Sequence, residues 1–145
     1  MRRYAWLVVL GILVAAPGAW GGMVSKTYEF KEGVTLEVGV QTDTGLRLDT
    51  IRLTLPSTTG GRFLRTGGLV RAEISVSNTT AASQKVGIAV ALFDADGRLV
   101  GVASGGTKVL PIKAERQRTY DLVFDDVNED AYKATSFQIS VESKP

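Results

Sequence analysis

From Met23 onward the apolar residues of this chain recur every second position, and that period dictates strands rather than helices. Val34, Leu36, Val38 and Val40 alternate with Thr35, Glu37, Gly39 and Gln41. The same pattern returns in Ile51, Leu53 and Leu55, in Val70, Ala72, Ile74 and Val76, and in Val86, Ile88, Val90 and Leu92. It continues through Tyr120, Leu122 and Phe124 to Phe137, Ile139 and Val141. Residues 99–102 form a shorter run apolar on both sides, and 27–30 a weak first strand. Side chains on a strand point alternately to opposite faces, so each set defines one buried face. Turn-rich gaps separate the sets: Lys31-Glu-Gly33, Thr42-Asp-Thr-Gly45, Asn78-Thr-Thr-Ala, Asp94-Ala-Asp-Gly97 and Gly105-Gly106. The expectation is an all-β antiparallel sandwich of about seven to eight strands. Leu46 and Leu48 are out of phase with Ile51, Leu53 and Leu55, which predicts a bulge near Asp49-Thr50. Residues 126–133 (DVNEDAYK) read as one brief helical turn, with Asn128 as its cap.

The start of the chain is different in kind. Arg2 and Arg3 precede an eleven-residue apolar run, 6–16, and Pro17-Gly18 ends it. Small residues follow, with a cut expected after Gly21, so residues 1–21 read as a secretory signal peptide. The alternative is a retained anchor, but the run falls short of the roughly 20 residues that span a bilayer. Residues 22–145 then form a single domain whose N-terminal part, about 22–67, is a hairpin region. The expected location is exported, periplasmic or extracellular, with no membrane partner once the leader is gone.

Composition removes several functions. The chain has no Cys, so the exported domain rests on its core without disulfides. It also has no His, which removes the usual general base and the commonest transition-metal ligand. Of the 17 Lys and Arg, Arg2 and Arg3 lie in the leader, so the remainder balances the 15 Asp and Glu. Nucleic-acid binding needs a positive excess, so that partner is not expected. No phosphate loop or nucleophile elbow occurs. No enzyme activity, cofactor or metal is expected.

Carboxylates are the remaining chemistry. Asp94 and Asp96 resemble part of a calcium loop, but the distal Glu such a loop needs is missing, and the run suits a hairpin turn. Asp125, Asp126, Glu129 and Asp130 form a denser group, read as a solvated acidic loop at a helix start. A carboxylate-dependent glycan hydrolase is the alternative that this group leaves open. Asn78-Thr79-Thr80 fits the glycosylation sequon and also suits a turn. Gly87, Ala89 and Ala91 make a flat small-residue face, expected to receive a neighbouring segment such as the N-terminal hairpin, with a partner or ligand as the alternative.

At VALFD, 90–94, the sequence resembles the FxLYD-type domain, a small secreted β-sandwich module. Leu92 and Asp94 agree with its motif, while Val90 stands for its Phe and Phe93 for its Tyr. VRAEISVSNTT, GRLVGVAS, VLPIKAERQRTYDLVF and ATSFQISVES are similar to its successive strands and turns, so the resemblance spans about 68–142. It implies an immunoglobulin-like fold outside the cytoplasm, with no catalysis and no active site to transfer. The functional expectation is a non-catalytic binding or structural module for an unknown protein or glycan partner. A chaperone-like assembly role is a further alternative. Loops 56–68 and 125–133 are the expected binding segments.

Overall fold

The computed structural model describes residues 22–56, 70–125 and 130–145. The expected leader, most of loop 56–68, and Asp126, Asn128 and Glu129 lie outside these residues. Eight strands are present among the described residues. They are β1 (Met23–Glu29), β2 (Thr35–Gln41), β3 (Leu46–Thr54), β4 (Val70–Asn78), β5 (Lys85–Phe93), β6 (Leu99–Gly106), β7 (Gln117–Phe124) and β8 (Ser136–Lys144). A short 3₁₀ turn, Asp130–Lys133, precedes β8 and is the sole helical piece among the described residues.

The strands form two antiparallel four-stranded sheets, ordered β1-β8-β5-β6 and β2-β3-β4-β7. The pairing of β4 with β7 in one sheet, and of β5 with β8 in the other, is the immunoglobulin-like Greek key. The expected N-terminal hairpin is β2–β3. β1 leaves it, joins the other sheet, and pairs along its whole length with the C-terminal strand, Met23 opposite Glu142 and Glu29 opposite Ser136.

The alternation becomes the core. Leu46, Ile51, Ile74 and Phe124 of one sheet are fully buried, as are Val90, Leu92, Ile139 and Val141 of the other. Fully burying a side chain of this kind contributes about 1.5–3 kcal/mol. The bulge falls where the phase break predicts it: the β3–β4 register shifts between Leu48 and Thr50. Without the shift, Ile51, Leu53 and Leu55 would face solvent. A second shift, between Glu37 and Val40, bends the edge strand β2 at Gly39, whose φ is +62°. Bulged edges pair poorly with other chains.

The sheets close tightly along β6 and β7. A Cβ on Gly105 would come within 2.4 Å of Leu122, so glycine sets that approach. On the opposite side, between β1 and β2, an apolar niche remains, lined by Val34, Leu36, Ile51, Leu53 and Phe137. Its volume is about 30 Å³, room for a water or two and for no sugar ring.

Candidate functional site

Two hairpin turns have the same backbone chemistry at opposite ends of the sandwich. In Asp94-Ala-Asp-Gly97, the Gly97 amide donates to the Asp94 carbonyl at 3.0 Å, and the Asp94 amide to the Arg98 carbonyl at 3.0 Å. Asp94 Oδ1 accepts from the amides of Asp96 and Arg98, each at 2.9 Å, and Gly97 takes a φ of +76°. Asp96 pairs with Arg98 at 3.2 Å. These carboxylates close a three-residue hairpin loop, as the sequence reading expects.

Thr42-Asp-Thr-Gly45 repeats the pattern. The Gly45 amide donates to the Thr42 carbonyl, the Leu46 amide to Thr42 Oγ1, and Gly45 has a φ of +85°. Its surroundings are crowded. Thr42 Oγ1 also bonds the Ser143 hydroxyl at 2.9 Å, and Thr44 Oγ1 bonds Ser143 and Gln84 Oε1. Gln84 Nε2 donates to the Thr44 carbonyl and to Thr80 Oγ1. Thr42, Asn78, Gln84 and Ser143 are all buried. This network ties the β2–β3 turn, the β4–β5 loop and β8 together, and the Ser143 amide donates to Gly22 at the start of the described chain.

Asn78 belongs to this network. It is 2% exposed, and its Nδ2 donates to the carbonyls of Ala82, Ile112 and Lys113. Its Oδ1 accepts from the Thr80 amide and hydroxyl. The folded chain therefore does not offer this nitrogen for glycosylation, and the sequon serves a turn.

Four further carboxylates have structural partners. Asp49, at the bulge, accepts from Arg47 Nε at 2.6 Å, Ser77 Oγ at 2.5 Å and Gln117 Nε2 at 3.5 Å. Arg71 pairs with Asp121 across β4 and β7, Lys31 with Glu29, and Lys144 with Glu142. Asp125 is exposed beyond β7. Asp126 and Glu129 lie outside the described residues, so the geometry of the group proposed for glycan hydrolysis is not on view. Among the described residues no three Asp or Glu side chains gather as a metal site.

One expectation is corrected. Gly87, Ala89 and Ala91 lie on the outer face of the first sheet, and no described segment covers Gly87, where a Cβ would meet nothing within 4 Å. The N-terminal strand adds to the edge of that sheet rather than over its face, because β1 satisfies its backbone by pairing with β8.

The sequence reading missed the character of the Thr42 end. There the 107–116 loop exposes two apolar side chains, Val109 at 83% and Leu110 at 67%. Ile112 beneath them is buried and bridges to Gln84, and Arg118 Nη1 holds the Leu110 carbonyl at 2.9 Å. Lys108, Lys113 and Arg116 of the same loop are exposed. The signal was the doublet Val109-Leu110 ahead of Pro111, which belongs to no alternating set.

Fold and surface together define an immunoglobulin-like all-β sandwich in which Glu29, Asp49, Asp94, Asp96, Asp121 and Glu142 serve turns, a bulge and surface ion pairs. No family model matches the chain, and no curated protein matches it.

Proposed function

We propose that this chain is an exported, non-catalytic β-sandwich module of the FxLYD type, which acts by binding a protein or glycan partner outside the cytoplasm. The observation that carries the reading is how its carboxylates are used. Asp49, Asp94, Asp96, Asp121, Glu29 and Glu142 each hold a basic side chain or a turn amide, and none faces another across a cleft. Glycoside hydrolysis needs two carboxyl groups about 5–10 Å apart flanking a bound sugar. The β1–β2 niche is far too small for one.

Fractionation of a host producing the full chain tests export. The expected product is recovered outside the cytoplasm with a mass that begins near residue 22. Full-length protein confined to the cytosol would contradict the reading. Cross-linking of the exported product in the same cells is expected to give a discrete adduct. Glycan turnover that disappears in Asp125→Asn would instead establish the hydrolase.

A further inference from the structure

We infer that the end of the sandwich carrying Val109 and Leu110 docks on an anionic lipid bilayer. Three independent features converge there. The first is the apolar tip, whose two side chains are the most exposed of their kind at this end apart from Met23. A tip that is rigid before contact loses little freedom on insertion, and buried Ile112 together with the Arg118 bond holds this one.

The second feature is charge. Lys108, Lys113 and Arg116 surround the tip, and Lys85 and Lys144 stand directly opposite each other at the adjoining ends of β5 and β8. Like charges placed opposite repel, and the Glu142 carboxylate 2.9 Å from Lys144 offsets part of that repulsion. An open depression of about 140 Å³ lies at this pair, lined also by Gly87, Thr107 and Glu142. Glu142 pairs with Lys144 and Asp49 with Arg47, and Glu115 and Asp43 are the other acidic residues of this end. Among the described residues the far end carries the opposite balance, with Glu29, Glu32, Asp94, Asp96 and Asp125 against Lys31, Arg98 and Lys133. Such an end-to-end asymmetry orients a molecule on an anionic surface, where apolar insertion and basic attraction reinforce each other.

The third is where the rest of the chain attaches. Gly22 is bonded to Ser143 at this same end, and the apolar run 6–16 lies a few residues upstream in sequence. Of the two ends, this one is joined through Gly22 to that run, a feature that rests on the proposed export where the other two do not. The inference departs from the sequence expectation of no membrane partner after leader removal. It does not depend on the proposed binding partner.

The absence of Cys makes the test clean. An environment-sensitive fluorophore is attached to the full chain through Val109→Cys or, at the far end, Asp96→Cys. Vesicles contain about one-third phosphatidylglycerol, with nitroxide-bearing lipids as quenchers. The label at 109 is expected to shift to the blue and be quenched, and the label at 96 to do neither. Raising salt from about 0.05 to 0.5 M should weaken the 109 signal severalfold, because screening shortens the reach of the lysines. Lys108→Glu with Lys113→Glu should weaken it at least tenfold while leaving the melting temperature unchanged. A leader inserting by itself would be indifferent to that pair of exposed substitutions. Equal insertion by the charge variant, equal signals on neutral phosphatidylcholine vesicles, or a label at 109 that stays in water would each overturn the inference.

Discussion

Thr42-Asp-Thr-Gly45 and Asp94-Ala-Asp-Gly97 are the same turn in two settings. Each reverses the chain through a left-handed glycine, and each uses its first side chain to hold the amide four residues on. The Asp94 turn ends there, open to water and complete within five residues. The Thr42 turn is built into Gln84, Ser143 and Thr80, and supports the end that bears the exposed tip. Local chemistry sets the path of the backbone, whereas the neighbours decide whether the turn is replaceable.

Substituting the two glycines gives the largest separation. Gly45→Ala places a Cβ 2.4 Å from Thr80 Cγ2, and Thr80 is pinned by Asn78 and Ala82. Left-handed strain and the clash together should cost about 3 kcal/mol or more in denaturant unfolding. Gly97→Ala meets nothing within 4 Å and should cost about 1–2 kcal/mol, from φ alone. Equal losses would break the comparison.

Asn78→Ala comes next. It removes a buried amide that donates to three carbonyls and accepts from Thr80, and should cost about 1–3 kcal/mol, visible as a lower urea midpoint at unchanged slope. Removing the first side chain of each turn sharpens the contrast. Thr42→Ala takes the Oγ1 acceptor from the Leu46 amide and one of three partners from the Ser143 hydroxyl, at about 2 kcal/mol. Asp94→Ala exposes its amides to water and should cost about 1 kcal/mol or less.

The smallest expected effect lies between the two ends. The Tyr120 hydroxyl is buried without a protein hydrogen-bond partner. Burial pushes its pKa above the ordinary 10.0, and nearby Arg118 offsets part of the rise. A folded-state pKa above the unfolded value means the unfolded chain releases its proton first. The stabilising difference is therefore fully present below the ordinary value and is lost as pH climbs through the folded-state pKa. Tyr120→Phe should be neutral or stabilising by less than about 1 kcal/mol near pH 7, and should flatten the alkaline loss of stability. Thermal melts from neutral to alkaline pH, on both proteins, check this.

These contrasts also mark what the sequence made legible. Period-two alternation revealed β2 to β5, β7 and β8, whereas β1 was read only as a weak strand at 27–30 and β6 only as a short two-sided run at 99–102, because neither buries a full alternating face. The Leu48-to-Ile51 phase break located the bulge, because a slip of one residue would turn a whole strand inside out. Asp94–Gly97 was readable as a turn because all its bonds are local. The network around Thr42 was not, because Gln84 and Ser143 lie 40 and 99 residues from Thr44 and meet it only through sheet topology. The position of β1 beside β8 was hidden for the same reason. Gly87, Ala89 and Ala91 misled because small residues suit both a close contact and an open face, and alternation alone does not distinguish the two.

Native-state hydrogen exchange at two amides tests the central claim most directly. Leu46 donates to Thr42 Oγ1 and Arg98 to Asp94 Oδ1, through matched bonds of 3.1 and 2.9 Å. If neighbours rather than local geometry secure the Thr42 turn, Leu46 exchanges only through opening close to global unfolding. Arg98 then exchanges through local opening, at least a hundredfold faster, about 2.7 kcal/mol. Equal protection at the two amides, or stronger protection at Arg98, would contradict the account.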